Sequence, residues 1–254
     1  MTTYLVAGST GHLGRPTFEE LQRRGLDVRG LSRTTGPDRV AADLTTGAGL
    51  AEALRGVDVV VHTATTDSGR DLAIARRLTE AAREAGVGHF VLISIVGIDR
   101  IPFGFYRQRL AIERIVEESG LPHTVQRATQ FHSFVDRLLS AQRRLPVLIV
   151  PSVRLQPIAE EDLAVRLADL ATAAPVGRAA DVGGPEVRFA PELAERWRVA
   201  TGTKRRIVPL RLPGRLFAAL DASANLVPGE PYGTRTFEDY LTRAYRASAA
   251  SSRS

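Results

Sequence analysis

The stretch Gly8-Ser9-Thr10-Gly11-His12-Leu13-Gly14 joins an apolar run, Tyr4–Ala7, to a helical pattern that begins at Pro16. An apolar strand, a glycine-rich turn and a helix in this order are typical of a unit that binds a dinucleotide. Pro16 fits the first turn of the helix, because a backbone N–H group there would have no partner within the helix. The stretch therefore predicts a phosphate-binding turn, and a purely structural turn is the alternative.

Each glycine of this turn has a separate predicted role. Gly8 lets the chain turn sharply, Gly11 lets the backbone approach a pyrophosphate, and Gly14 lets the helix pack close to the strand. The phosphates would accept hydrogen bonds from free N–H groups at the helix N-terminus. The cofactor contacts predicted in this turn are Gly8, Thr10, Gly11, His12, Leu13 and Gly14.

Length and the first residues predict an enzyme-sized cytoplasmic protein. A chain of 254 residues can form a doubly wound domain of about 150 residues and a smaller lobe. Met1–Thr3 lead directly into a strand pattern without a secretion signal, and no apolar run reaches membrane-spanning length. We therefore expect a cytoplasmic protein with no membrane partner.

The composition argues against metal and nucleic-acid partners. The chain has no cysteine, and its five histidines lack the spacing of metal ligands, so we expect no metal site. The net charge is +6, and Lys204 is the single lysine among 34 basic residues. The arginines are spread over helices in pairs such as Arg76-Arg77, which indicates a solvated surface, and a DNA-binding face is the weaker alternative.

Apolar runs alternate with helical periods over residues 1–150, which predicts a Rossmann-type α/β fold, a doubly wound parallel sheet with helices on both faces. The predicted strands are Thr3–Ala7, Asp27–Leu31, Arg39–Ala42, Val57–Thr63, His89–Ile95 and His123–Arg127. The predicted helices are Gly11–Arg24, Ala48–Arg55, Gly69–Ala85, Phe105–Ser119 and Phe131–Gln142. Left-handed helix caps are predicted at Gly25, Gly56, Gly86 and Gly120.

Prolines break the chain into shorter pieces after Pro151. Helices are predicted there over Glu160–Thr172, Pro191–Thr201, Gly214–Leu220 and Phe237–Ala247. We therefore expect a cofactor-binding Rossmann domain over 1–150, a smaller, mainly helical substrate lobe over 151–246 interleaved with it, and a flexible tail over 247–254.

The residues after the second predicted strand indicate which dinucleotide binds. An NAD-selective site places a carboxylate about 20 residues past the glycine turn, where it holds the ribose 2′-hydroxyl. Ser32 and Arg33 occupy that place here, and a guanidinium is a planar cationic partner for a 2′-phosphate. We expect NADP, with NAD as the alternative, and an ordinary exposed arginine is the competing interpretation of Arg33.

The end of the third predicted strand offers a contact to the adenine. Asp43 is placed to accept a hydrogen bond from the adenine amino group, and Leu44 follows it. An N-cap for the next turn and helix is the other interpretation of Asp43.

Several further segments resemble those of a known family, the atypical short-chain dehydrogenase/reductases of the NmrA-like, NAD(P)-binding kind. Besides the glycine turn, the matching segments are Val57–Ala64, Phe90–Gly97, Phe105-Tyr106-x-x-Arg109, Leu121–Phe131 and Asp181–Glu186. The resemblance covers essentially the whole chain. It implies that Thr63, Ala64 and Thr65 line the cofactor and that Ser94, Ile95, Val96 and Gly97 lie beside the nicotinamide. A hydroxyl satisfied by neighbouring backbone is the alternative for Ser94.

The resemblance also implies a catalytic tyrosine, but its usual partners are missing. Reductases of the wider superfamily use a tyrosine and a lysine one helical turn away, whose charge lowers the tyrosine pKa. Tyr106 takes the tyrosine position, Leu110 and Arg109 stand where lysine is expected, and Ile95 and Val96 replace the usual hydroxyl residues. Arg109 can supply charge but cannot relay a proton.

Two interpretations of Tyr106 follow. It is either a proton donor helped by Arg109, or one wall of an aromatic pocket with Phe103 and Phe105. The residues predicted to line a substrate pocket are Val96, Phe105, Gln130, Phe131 and Phe134. His132 is an acid–base candidate, although a lone histidine on a helix is more often structural.

The sequence therefore favours an NADP(H)-dependent oxidoreductase that acts on a small, fairly apolar carbonyl or conjugated substrate. The alternative is a non-catalytic NAD(P)-sensing regulator with a protein partner, which the missing lysine favours. An epimerase or dehydratase needs the same tyrosine–lysine pair and is disfavoured.

Overall fold

The computed structural model of the chain describes residues 1–66 and 69–251, with the backbone alone over 246–251. The strands are β1 Thr3–Ala7, β2 Asp27–Ser32, β3 Arg39–Ala41, β4 Val59–His62, β5 His89–Ile95, β6 His123–Ala128, β7 Val147–Pro151, β8 Arg154–Leu155, β9 Gly177–Arg178, β10 Arg188–Phe189 and β11 Arg206–Leu210. The helices are α1 Gly14–Arg23, α2 Leu50–Ala53, α3 Asp71–Glu84, α4 Gly104–Glu117, α5 His132–Ser140, α6 Glu160–Thr172, α7 Ala190–Thr201, α8 Arg215–Asp221 and α9 Phe237–Ser251.

The central sheet has the strand order β3-β2-β1-β4-β5-β6-β9. β1 pairs in parallel with β2 and with β4, so Ala7 lies opposite both Leu31 and His62. The chain extends the sheet to one side of β1 through β3 and then crosses to the other side at β4. Ligands of open α/β sheets bind outside the carboxyl ends of the strands at such a switch point, which places the ends of β1 and β4 at the candidate site.

The predicted doubly wound parallel sheet is confirmed, and β1 and β5 have the predicted bounds. α1 begins at Gly14 rather than at Gly11, because the first residues of the glycine stretch form the turn itself. The strands β7 to β11 were not predicted, since they are short and two of them contain proline. β7 and β11 nevertheless form a parallel pair in which Leu148 lies opposite Ile207.

The chain divides into two compact units. The first unit comprises 1–95, 104–127 and 163–181, and the second comprises 96–103, 128–162 and 182–254. The units are therefore discontinuous in sequence, whereas our predicted boundary lies at residue 150. The assignment of cofactor binding to 1–150 and of substrate binding to 151–246 stays a prediction.

The first unit has an apolar core beneath the glycine turn. β1 and β4 are buried along their whole length, as expected for parallel strands that helices cover on both faces. The core includes Leu5 and Val60 from these strands and Leu78 from α3, each fully buried. This packing holds the carboxyl ends of β1 and β4 in fixed positions.

The second unit has its own core, in which β7 packs with α5, α7 and α9 around Trp197. The Gly183-Gly184 pair of the family-like segment is required by close packing, because a Cβ on Gly184 would lie 1.7 Å from the Pro157 carbonyl oxygen. Gln156 Nε2 donates to the Gly184 carbonyl over 3.0 Å. These contacts explain the segment without assigning it a ligand.

The predicted helix caps and tail have different outcomes. Gly25, Gly56, Gly86 and Gly120 all have positive φ, between 68° and 77°, so the left-handed caps are confirmed. α9 continues to Ser251, past the predicted start of the flexible tail at residue 247. Residues 252–254 lie outside the described residues.

Candidate cofactor site and active site

At two positions of the glycine turn, Gly8 and Gly14, neighbouring atoms leave no room for a side chain. Gly8 has φ of +89°, and a Cβ there would lie 2.7 Å from the Cα of Ala64. A Cβ on Gly14 would lie 1.9 Å from the Gly8 carbonyl oxygen and 2.7 Å from Oγ1 of Thr63. The predicted roles of Gly8 in the sharp turn and of Gly14 in close helix packing are therefore what the geometry requires.

Gly11 holds the turn by a backbone hydrogen bond and is exposed. Its N–H donates to the Gly8 carbonyl oxygen over 2.9 Å. Thr10, Gly11 and His12 are exposed, whereas Leu13 and Gly14 are buried. The turn therefore presents its middle residues to solvent, where backbone could approach a ligand.

The N-terminus of α1 suits an anion. Leu13 is the N-cap and makes no side-chain capping hydrogen bond, and the first turn carries no acidic residue. The first N–H groups of a helix lack partners within the helix, and its dipole favours negative charge there. The N-terminus of α1 has no side-chain cap, and Gly8 and Gly14 in the adjoining turn leave no room for side chains. This arrangement fits a pyrophosphate group.

Two side-chain hydroxyl groups form hydrogen bonds that fix the loops around the N-terminus of α1. Ser9 Oγ donates to the Leu31 carbonyl oxygen over 3.2 Å, and Thr63 Oγ1 donates to the Ala7 carbonyl oxygen over 2.9 Å. These bonds join the glycine turn to the end of β2, and the residue after β4 to the end of β1.

The residue that follows β2 is an arginine, Arg33. Arg33 is exposed, and within the described part of the chain it makes no hydrogen bond or ion pair. Ser32 Oγ accepts a hydrogen bond from the Thr34 N–H over 3.2 Å. The guanidinium of Arg33 is therefore available to an anionic ligand.

Asp43 caps the turn that follows β3, but it is not the N-cap of a helix, because the N-cap of α2 is Gly49. Its Oδ1 accepts a hydrogen bond from the Thr45 N–H over 2.7 Å, and that backbone hydrogen bond holds the pKa of Asp43 below its usual value. Leu44 is half-buried and packs against the apolar core. The adenine contact predicted for Asp43 and Leu44 stays a prediction.

The loop between β4 and α3 carries Thr63, Ala64 and Thr65, the predicted cofactor contacts. It is held by Asp71, a buried residue that sequence reasoning missed. Asp71 accepts hydrogen bonds from Thr65 Oγ1 over 2.8 Å, from the Thr66 N–H over 2.8 Å and from Thr66 Oγ1 over 2.6 Å. The sequence signal that could have identified Asp71 is its position as an acidic residue in the first turn of the predicted helix Gly69–Ala85.

Arg109 reaches Asp71. Its Nη2 lies 3.2 Å from Asp71 Oδ2, and both side chains are buried. The guanidinium also lies over the Phe105 ring, 5.2 Å from its centroid. Burial alone would raise the pKa of Asp71, but hydrogen bonds from Thr66 and Thr65 and the Arg109 charge hold it below its usual value.

His62, the last residue of β4, is a buried neighbour of this pair. Burial, with a smaller contribution from the Arg109 charge, lowers the pKa of His62 to about 4, although the Asp71 charge acts in the opposite direction. His62 is therefore neutral at pH 7. Among the described residues, its buried Nδ1 has no hydrogen-bond partner.

Tyr106 lies in the first turn of α4 and is half-buried. Its ring centroid is 6.3 Å from that of Phe105. The structure thus places Phe105 and Tyr106 on one helix with Arg109, whereas Phe103, the third aromatic residue of the predicted pocket, is exposed just before α4 begins. The proton-donor role of Tyr106 and the pocket role of Phe105 stay predictions.

At the end of β5, Ser94 is buried and Ile95 is half-buried. In the described residues no group bonds the Ser94 hydroxyl oxygen, so the alternative in which neighbouring backbone satisfies it lacks support. A buried hydroxyl without a protein partner fits a ligand that supplies the missing bond. Val96 is buried, and its N–H donates to the Ala128 carbonyl oxygen over 3.0 Å.

The other predicted pocket residues lie in the second unit. Gln130 and Phe131 are half-buried just before α5, and Phe134 is exposed on it. His132 is fully buried and its Nε2 lies 3.1 Å from the Pro157 carbonyl oxygen. Burial lowers the pKa of His132 to about 4, so the structure favours the structural interpretation of this residue.

Within residues 1–66 and 69–251, none of the helices combines the length and the apolar character that a membrane span needs. No three histidine, aspartate and glutamate side chains in these ranges are grouped so that they could hold a metal ion.

Solved structures share the fold. An Escherichia coli NADPH-dependent quinone oxidoreductase in complex with NADPH superposes with a TM-score of 0.79 at 18% identity, covering 95% of this chain and 99% of that chain. A Citrobacter triphenylmethane reductase in complex with NADP(H) gives 0.76 at 14% identity, with the same coverage. At these identities the likeness concerns the fold.

Curated relatives are more similar in sequence. The chain is 30% identical to the chloroplastic divinyl chlorophyllide a 8-vinyl-reductase of Oryza sativa subsp. indica, over 90% of this chain and 66% of that protein. It is 32% identical to sterol demethylase protein B of Methylococcus capsulatus, over 59% of this chain and 50% of that protein. The chain thus spans less than two thirds of the length of these two relatives.

A family model described as NAD(P)H-binding matches residues 8–137. The match begins at the first glycine of the turn and extends through α4 and β6 into α5. It confirms the predicted nicotinamide cofactor at the level of NAD(P)H, and the NmrA-like subgroup stays a prediction. Since the model matches just over half of the 254 residues, the chain belongs to the NAD(P)H-binding family.

Proposed function

We propose that the protein is an NADPH-dependent reductase of the atypical short-chain type. The observation that carries the choice of NADPH is the exposed Arg33 directly after β2, where an NAD-selective site has a carboxylate. A guanidinium forms charge-assisted hydrogen bonds with a 2′-phosphate, whereas it has no comparable partner in NADH.

The groups that would hold the cofactor surround the ends of β1, β2 and β4. The backbone from Gly8 to Gly14 would bind the pyrophosphate, Ser32 and Arg33 the 2′-phosphate, and Thr63, Ala64 and Thr65 the middle of the molecule. Asp43 and Leu44 would lie at the adenine, and Ser94 and Ile95 near the nicotinamide. NADPH, when bound, supplies a hydride.

Tyr106 is the proposed proton donor. A phenol can transfer a proton to a substrate oxygen as negative charge develops there. Tyr106 is half-buried in the first turn of α4, so it is accessible while partly shielded from water. No other tyrosine of this chain takes the tyrosine position of the family resemblance.

The proposed substrate is a small, fairly apolar molecule with a carbonyl group or a conjugated system. The rice relative is named as a vinyl-reductase and the fold neighbour from Escherichia coli as a quinone oxidoreductase, and vinyl-substituted macrocycles and quinones are both conjugated. The proposed substrate contacts are those of the sequence prediction, Val96, Phe105, Gln130, Phe131 and Phe134.

Replacing the phenol tests the reductase proposal. With a quinone and enone panel as substrates, we expect Tyr106→Phe to lower kcat at least tenfold while the NADPH dissociation constant changes less than twofold, because only the proton donor is lost. Tyr245→Phe, which removes a phenol hydroxyl that donates to Asp136 of α5, should keep most of the activity. An active Tyr106→Phe variant would contradict the assigned role.

A non-catalytic NAD(P) sensor is the second candidate. Leu110 stands where the superfamily pattern has its lysine, and Ile95 stands at a usual hydroxyl position. This function predicts tight NADPH binding, a regulatory protein partner and no turnover with any member of the panel. Steady-state reduction at many turnovers per protein molecule would exclude it.

A further inference from the structure

We propose that Arg109 is a positioning residue that acts through Asp71. In this role it does not serve Tyr106 as the missing lysine would. The Arg109–Asp71 pair joins the β4–α3 loop, a proposed cofactor contact, to α4, the helix that carries Tyr106. The inference rests on the NADPH binding proposed above and assigns a new residue, Asp71, to the same site.

Asp71 orients Thr65 and Thr66, two described residues of the loop. Its two carboxylate oxygens accept three hydrogen bonds from Thr65 and Thr66, and its side chain is 4% exposed. A buried carboxylate with this many donors is strongly oriented. The backbone of Thr66 is therefore fixed relative to the start of α3.

Arg109 connects this carboxylate to α4. The guanidinium is 3.2 Å from Asp71 and lies over the ring of Phe105, one helical turn earlier. Gln108, the preceding residue, makes a second connection, since its Nε2 donates to the Gly69 carbonyl oxygen over 3.0 Å. α4 thus contacts the chain segment between β4 and α3 through two consecutive side chains.

Arginine suits this place better than lysine does. A planar guanidinium can stack on an aromatic ring and at the same time form hydrogen bonds in its plane. An ammonium group is a point charge on a flexible stem, so it cannot maintain both contacts in one fixed geometry. The departure from the superfamily pattern therefore has a structural use at this position.

The loop in turn supports the glycine turn. A Cβ on Gly8 would collide with the backbone of Ala64, and a Cβ on Gly14 would lie 2.7 Å from Thr63 Oγ1. Thr63 is also bonded to the residue before Gly8, since its N–H and its Oγ1 donate to the Ala7 carbonyl oxygen over 3.0 Å and 2.9 Å. A displaced Thr63 therefore pulls on the start of the glycine turn. Loss of the Arg109–Asp71 pair should therefore weaken cofactor binding even though neither side chain need touch the cofactor.

The test compares Arg109→Met, Asp71→Asn and the double variant by NADPH titration without substrate. We expect each single variant to raise the NADPH dissociation constant at least tenfold, and the double variant to raise it no further, because both changes break one pair. Arg109→Lys should restore part of the affinity. In Arg109→Met, the midpoint pH of the kcat profile should equal that of the wild-type protein.

A second buried ion pair, between Glu113 of α4 and Arg127 of β6, provides the matched control. Arg127 Nη2 lies 2.6 Å from Glu113 Oε2, and both side chains are buried. Arg127→Met and Glu113→Gln should lower thermal stability, as loss of a buried charge partner does, but should leave the NADPH dissociation constant within twofold. Equal weakening of NADPH binding by these controls would overturn the proposal.

Hydrogen exchange gives a readout that needs no cofactor. The Thr66 amide donates to Asp71, so its exchange should accelerate at least tenfold in Arg109→Met and Asp71→Asn and stay unchanged in Arg127→Met. Unchanged exchange in the first two variants would contradict the positioning role even if NADPH does not bind. A shifted kcat midpoint in Arg109→Met with unchanged NADPH affinity would instead assign the arginine to Tyr106.

Discussion

A single exposed side chain, Arg33, is the proposed determinant of which dinucleotide the site prefers. It follows β2 directly and has no partner among the described residues, so its charge is not used within the protein. A 2′-phosphate would gain charge-assisted hydrogen bonds from it, and a 2′-hydroxyl would gain little. We therefore expect cofactor choice to depend on this residue more than on the glycine turn, whose proposed partner, the pyrophosphate, is common to both dinucleotides.

We expect Arg33→Ala to weaken NADPH binding by about tenfold to a hundredfold, roughly 1.4 to 2.8 kcal/mol, and to leave NADH binding nearly unchanged. Titration calorimetry with both cofactors measures the ratio. Arg83→Ala, which removes an exposed arginine from α3, is the control and should affect neither cofactor. Equal losses for NADPH and NADH in Arg33→Ala would show that this residue does not select the cofactor.

His62 makes stability depend on pH. Its pKa is about 4 in the folded protein, against 6.5 for an ordinary histidine. Between these values the unfolded chain binds a proton that the folded protein does not, so the free energy of unfolding should fall as pH falls from about 6.5 to about 4. The slope from one such histidine approaches about 1.4 kcal/mol per pH unit.

The measurement is urea unfolding at several pH values between 7 and 4.5. We expect His62→Gln to flatten the decline, and His132, whose pKa is also about 4, to account for a similar share. Val60→Ala, a cavity in the same strand, should lower stability at every pH by about 1 to 3 kcal/mol without changing the slope. An unaltered slope in His62→Gln would refute the assignment.

At the scale of elements, the glycine turn and α1 act together. The Gly14 position has no space for a side chain, because the obstructing atoms belong to the Gly8 backbone. Any substitution there must move the start of α1 away from the end of β1. The free N–H groups at the helix end, which form the proposed phosphate site, would move with it.

We therefore expect Gly14→Ala to raise the NADPH dissociation constant at least tenfold and to lower stability by about 1 to 3 kcal/mol. Gly88→Ala is the matched control, since the nearest atom to a Cβ there is 3.6 Å away, an ordinary contact distance. It should change neither quantity appreciably. Normal NADPH binding by Gly14→Ala would mean that the turn does not contact the cofactor.

The elements differ in how well the sequence predicts them, for physical reasons. β1 and the glycine turn have local signals, namely a continuous apolar run and steric requirements that glycine alone satisfies. β7 and β11 are five residues each and pair across a long sequence separation, so no local period reveals them. The Asp71–Arg109 pair was missed for the same reason, since only the folded chain brings α3 and α4 together.

At the scale of the whole molecule, the family match and the parallel sheet support a dinucleotide-binding protein. The second unit collects segments from three parts of the chain, and short irregular segments carry weak sequence signals. Its predicted substrate contacts rest on the family resemblance. The reaction is therefore the part of the account that most needs a direct measurement.

Transfer of deuterium from NADPH labelled at both C4 positions is the most direct measurement. The protein is incubated without oxygen with the labelled cofactor and the quinone and enone panel, and the products are analysed by mass spectrometry, with Tyr106→Phe as the comparison. We expect enone reduction to place deuterium on a carbon atom of the product, and quinone reduction to consume NADPH and form hydroquinone, whose O–D group exchanges with water. At least one of these reactions should proceed, and Tyr106→Phe should slow it at least tenfold. Tight NADPH binding with neither a labelled enone product nor any hydroquinone would contradict the reductase and favour the sensor.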